Sequence, residues 1–115
     1  MKLSQHRVFK ALMSLGLSKT NAQVYVFLAN AGPQSVEEMV DELKLNEAVL
    51  RRSLQALSRK RIVFLSQSPA SFHALPFDEA LKLLAKEQLK KVEDVEQKKS
   101  EILSKWQKMI AGSEG

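Results

Sequence analysis

Between Pro76 and Gly112 the chain contains neither glycine nor proline, and no other stretch limits the possible folds so strongly. A continuous helix over 78–110, with Asp78 at its head as a cap, is about 50 Å long at 1.5 Å per residue. That is much longer than the domain the preceding residues can build, so such a helix cannot bury its apolar stripe against that domain alone. Written in heptads, Leu81, Val95, Ile102 and Met109 fall at d and Ala85, Val92 and Trp106 at a, while Leu89, Leu103 and Ile110 widen the stripe at e. Lys99 at a and Gln88 at d interrupt the seam, at a cost in stability that also restricts register. The simplest partner is the same helix of a second copy, so a homodimer is predicted. Residues 78–111 then form a coiled-coil dimerisation helix and 112–115 a disordered tail.

The residues before it break into short helices and one hairpin. Residues 4–15 place Val8, Phe9, Leu12 and Met13 on one side of a helix that Gly16 ends. Ser18 caps a second helix over 19–31, with Ala22, Tyr25, Leu28 and Ala29 at helical spacing and Gly32-Pro33 as the breaker. Ser35 and Glu38 have the spacing of a capping box for a third helix, whose stripe is Val36, Met39, Val40 and Leu43. Asn46 caps a fourth, expected over 46–60. Stepping about 100° per residue from Leu50 puts Ser53, Leu54 and Leu57 in one arc and Ala48, Arg51, Arg52, Gln55 and Arg59 in the other. Residues 62–65 and the alternation around Phe72 and Ala74 read as two strands, joined by a turn containing Pro69. Helix, turn, helix, hairpin is the order of a winged helix. The fold class expected is mainly α with a small β-hairpin: a winged helix-turn-helix domain over 1–77, followed by the long helix.

The net charge of +5 is unevenly placed. Residues 46–76 hold Arg51, Arg52, Arg59, Lys60 and Arg61 against Glu47 alone, whereas 77–115 balance eight basic against eight acidic side chains. Positive charge concentrated on one element is the electrostatic footprint of a surface for a polyanion. The absence of cysteine removes disulfides, thiolate metal sites and cysteine nucleophiles together. No run approaches the roughly 20 apolar residues that span a bilayer. A soluble, untargeted, cytoplasmic protein with no membrane partner is expected.

Double-stranded DNA is the polyanion that fits best. The second helix of a helix-turn-helix lies in the major groove, where arginine reads guanine O6 and N7 and glutamine reads adenine. Arg51, Arg52 and Gln55, with Asn46 and Ala48 at the head of the same face, are the candidate groove contacts. Arg59, Lys60 and Arg61 suit phosphates, or simply the negative end of the helix dipole. Gln34 and Ser35 open the third helix, where free backbone N–H groups can meet a phosphate, although capping explains Ser35 equally well. Against DNA stand Glu37, Glu38, Asp41 and Glu42 on the third helix and Glu47 on the fourth, which favour a protein-docking winged helix if they face the ligand. An enzyme is not expected: His6 and His73 lie far apart with no ligand spacing around them, and there is no Gly-rich phosphate loop. No cofactor or metal is expected either.

Leu15-Gly16-Leu17-Ser18 followed by Ala22, Val24-Tyr25, Leu28 and Gly32-Pro33 resembles the opening of the TrmB-type archaeal regulators, relatives of the MarR type. Arg59-Lys60-Arg61-Ile62-Val63, Pro69 with Phe72, and Leu75-Pro76-Phe77-Asp78 are similar to that family's later landmarks. The resemblance implies a homodimeric transcriptional regulator acting on promoter DNA and so on the transcription machinery. Three departures stand out. Asn21 replaces the acid usual early in the second helix, and Arg61 replaces the glycine usual before the aliphatic pair. The wing, Ser66-Gln67-Ser68-Pro69-Ala70-Ser71, lacks the arginine that the family often places there, so weak wing contacts are expected. Larger members continue into a sugar-binding domain; the resemblance here is to a short form, and sugar sensing is not carried over.

Overall fold

The computed structural model describes the backbone of residues 2–67 and 69–114, and the side chains of 6–67 and 69–112. Ser68 of the wing and Gly115 of the tail lie outside the described residues. The elements are α1 (Lys2–Ser14), α2 (Lys19–Ala31), α3 (Val36–Leu43), α4 (Glu47–Arg59), β1 (Val63–Gln67), β2 (Ala70–Ala74) and α5 (Phe77–Glu114). The architecture is a winged helix-turn-helix, mainly α with one antiparallel hairpin, followed by a long helix.

Local chemistry sets the helix boundaries. Ser18 Oγ accepts from the Asn21 N–H at 3.1 Å, and the Asn46 side chain accepts from the Ala48 N–H at 2.8 Å; each satisfies an N–H left over by the first turn. The capping box of α3 is complete: Glu38 N–H donates to Ser35 Oγ at 3.2 Å and Ser35 N–H to Glu38 Oε1 at 3.0 Å. Hydrogen bonding of the Glu38 carboxyl to the Ser35 backbone N–H, and then to the Ser35 side chain, holds it below its usual range. Gly32 ends α2 at φ 81°, a backbone state that costs a side-chain-bearing residue more than glycine.

The hairpin pairs Val63 with Ala74 and Leu65 with Phe72. A short extension was not foreseen: Gln34 and Phe72 exchange backbone hydrogen bonds of 2.9 and 2.7 Å, tying the approach to α3 onto β2.

One cluster of buried side chains holds the domain, with Leu12, Tyr25, Leu28, Met39, Leu50, Leu57, Ile62 and Leu84 among its fully covered members. Met13 and Ala29, expected on inner faces, are exposed; both sit at the edges of their helical stripes. Tyr25 is fully buried, and its hydroxyl donates to the Leu75 carbonyl at 2.6 Å. Burial, and then the Asp78 carboxylate, push this phenol up from 10.0 to about 12. The folded state therefore prefers the neutral phenol, and its contribution is complete below pH 10.0 and is lost as the pH rises towards about 12. Tyr25→Phe is expected to cost about 1 kcal/mol at neutral pH and to abolish this alkaline loss. Urea unfolding of both proteins at pH 7 and 11 checks it, with the gap between them narrowing at the higher pH.

Arg61 turns the chain from α4 into β1 at φ 65°. Its N–H donates to the Ser58 carbonyl at 3.0 Å, and the Ile62 N–H to Leu57 at 3.2 Å. The corner is thus built in the left-handed region without glycine. Arg61→Gly should raise stability by about 0.5–1 kcal/mol, because the Cβ–carbonyl crowding disappears and exceeds glycine's extra unfolded entropy. A urea midpoint no higher than wild type contradicts this.

The chain divides into two compact units, residues 1–85 and 86–115, rather than at 77. The first two turns of α5 belong to the domain because Ala80 and Leu84 are buried in its core. Leu81, expected at the dimer seam, packs partly buried against that same core. In the second unit Leu89, Val92, Val95, Ile102, Leu103, Trp106, Met109 and Ile110 are all exposed, from 43% to 66%. Nor does Gly112 stop α5, which continues to Glu114 where a disordered tail was expected. One glycine in an exposed helix costs only about 1 kcal/mol, too little to end a helix that nothing else breaks.

Candidate nucleic-acid interface

α4 turns one face inward and leaves the other in solvent. Leu50, Ser53, Leu54 and Leu57 are buried, at 0 to 4% exposure, while Ala48, Arg51, Arg52, Gln55, Ser58 and Arg59 are exposed. Ser53, the polar member of the buried arc, donates its hydroxyl to Asn21 Oδ1 at 2.6 Å. Asn21, where the resemblance anticipates an acid, therefore fastens α2 to α4 and fixes how α4 is rotated. Burying three leucines, each stabilising by about 1.5–3 kcal/mol, holds that rotation, so the outward set is determined by what the inward set must bury.

The exposed face and the hairpin enclose a shallow cleft lined by Arg51, Arg52, Gln55 and Ser58 from α4 and by Leu65 and Phe72 from the two strands. Arg52 also lines a second depression, with Thr20 and Asn21 of α2, so it stands on the ridge between the two. Ser58 and Leu65 were not among the expected contacts. Their signal lay in the helical and strand periodicities, but only the hairpin's fold-back places Leu65, 46% exposed, next to Gln55.

The charges are distributed less simply than expected. Arg51 Nε donates to Glu47 Oε2 at 3.0 Å, an i,i+4 pair with both side chains 60% exposed. Arg51 therefore does not present an unshared charge. An exposed pair of this kind is worth only about 0.3–0.5 kcal/mol, little to lose for a phosphate or a guanine edge. Among the described residues Arg52, Arg59 and Arg61 form no ion pair, while Lys60 caps α4 through its backbone N–H. The acids Glu37, Glu38, Asp41 and Glu42 are exposed on the side of α3 opposite Val36, Met39, Val40 and Leu43, the face that packs inward.

Two expected contacts are otherwise engaged. The Gln34 N–H is taken by the Phe72 carbonyl, and that of Ser35 by Glu38. The start of α3 thus lacks two of the donors it was expected to offer a phosphate, and the Glu38 carboxylate sits there instead. Asn46 likewise spends its side-chain oxygen on capping. The wing carries no charged residue from Val63 to Ala74. What remains is a cationic ridge centred on Arg52, flanked by Gln55, Ser58 and the paired Arg51, with Arg59 and Arg61 at the end of α4.

The comparisons fit this geometry. No curated protein matches the chain. Residues 12–78 match the family described as "Sugar-specific transcriptional regulator TrmB", a span that takes in α2 to β2 and hence every element of the ridge. The family is one of transcriptional regulators with a DNA-binding helix-turn-helix, and this chain belongs to it.

Proposed function

We propose that the protein is a sequence-specific, double-stranded DNA-binding regulator that acts as a cytoplasmic homodimer, with α4 entering the major groove. The supporting observation is the exposed face of α4: Arg52 without an ion-pair partner among the described residues, beside Gln55 and Ser58, on a helix whose rotation is locked by its buried leucines. Arg52 and Arg51 read guanine edges, Gln55 reads adenine, and Arg59 with Arg61 contacts phosphates. The exposed apolar stripe of α5 joins two copies and so presents two reading helices to a two-part site. Occupancy of such a site near a promoter obstructs the transcription machinery, which makes repression the simplest outcome.

Selection of bound duplexes from a randomised pool tests this reading. Enrichment of a short motif repeated twice at fixed spacing supports it, whereas bound but unenriched DNA indicates architectural binding. Glu47 at the head of α4 and the acids of α3 favour a protein-docking winged helix, for which the pool is not retained.

A further inference from the structure

We infer that two α5 helices pair antiparallel, about a dyad next to Gln97, an orientation that rests on the pairing proposed above and adds its direction and register. The eight apolar side chains exposed between Leu89 and Ile110 present an area of the order each partner brings to a standard interface, about 800 Å². A second copy of the same stripe is the occupant whose chemistry matches it throughout.

The width of the stripe decides the direction. In a parallel pair each e position faces a g position of the other helix. The g positions here are Lys91, Lys98 and Lys105, so Leu103 and Ile110 would lie against lysines. In an antiparallel pair e faces e: Leu89 of each copy meets Leu103 of the other, and of the three apolar e residues only Ile110 still meets a lysine, Lys82. The core layers agree. With the dyad next to Gln97, Ala85 faces Met109, Gln88 faces Trp106, Val92 faces Ile102 and Val95 faces Lys99. Large side chains thus meet smaller ones in each outer layer, as close packing of facing positions favours. A parallel pair sets Trp106 against Trp106 and buries Lys99 against Lys99. The notch on α5 lined by Val95, Lys98, Lys99, Ile102 and Leu103 is the hollow around Lys99 that a valine from the other copy fills, with the lysine stem alongside it.

The arrangement has an electrostatic cost. Lys98 and Glu96 each approach their own copies, and Lys91 approaches Lys105. These flanks are solvated and screened by salt, and Lys91 already has Glu87 at 3.4 Å, so the cost is smaller than that of a lysine pair in the core.

The chain has no cysteine, so introduced thiols report alone. Under mild oxidation Val92→Cys/Ile102→Cys should yield covalent dimer, while Val92→Cys and Ile102→Cys separately should not. Ready cross-linking of both single variants means a parallel pair and overturns the inference. A non-covalent dimer by sedimentation in which the double variant fails to cross-link overturns the register. A wild-type monomer overturns the pairing itself, and with it that part of the proposed function. A spin label at the exposed Lys86→Cys guards against perturbation by the core substitutions: antiparallel pairing places the two labels more than about 30 Å apart along the axis, and a separation under about 20 Å contradicts it.

Discussion

Arg52→Ala should weaken binding to the selected duplex by about 5- to 150-fold, equivalent to roughly 1–3 kcal/mol, while leaving the urea midpoint unchanged. The guanidinium is exposed and makes no ion pair among the described residues, so its removal costs the fold little. In the complex it is the most available cation on the ridge. Arg51→Ala should weaken binding as well, for a different reason: part of its charge is already shared with Glu47, and deleting it leaves that carboxylate facing the phosphates alone. Glu47→Gln separates the two effects, since it frees Arg51 and removes a repulsive charge, and it is expected to tighten binding. Titrations with all three folded variants check this ordering, and unchanged affinity in Arg52→Ala rejects the assignment of the ridge.

Ile102→Glu is the second large effect. Ile102 is 65% exposed in the single chain, so the substitution removes nothing from the domain core. In a pair it puts two carboxylates where two apolar side chains would be covered, and the desolvation cost of each is several kcal/mol. The variant is expected to sediment as a monomer with the thermal midpoint of the first unit unchanged. Its affinity for a two-part site should fall by about 10²–10⁴-fold, because the second contact is no longer intramolecular. A variant that remains dimeric contradicts the role given to this stripe.

The inward arc of α4 was legible because leucines at helical spacing leave only one way to turn the helix. The capping box of α3 was legible because Ser35 and Glu38 satisfy each other locally. What escaped were features with no periodic signal. The entry of α5 into the core depends on Ala80 and Leu84, and an alanine gives little evidence of which face it serves, so Leu81 was assigned outward. The Gln34–Phe72 bridge joins residues distant in sequence, and the contact it makes consumes an N–H that appeared available to a phosphate. Glu47 and Arg51, by contrast, have the i,i+4 spacing of an ion pair, a periodic signal that the sequence does carry. The ridge is accordingly narrower than the arginine count implied.

Duplex affinity across a series of salt concentrations tests most directly whether the outward face of α4 binds DNA. Each phosphate neutralised by an arginine or lysine releases counterions, so log affinity should fall linearly with log salt by about 0.9 per contact. Removing a phosphate-contacting residue, Arg59 or Arg61, should make that slope shallower by about 1. Binding to duplex that is absent at low salt, or an affinity that does not change with salt, contradicts the account.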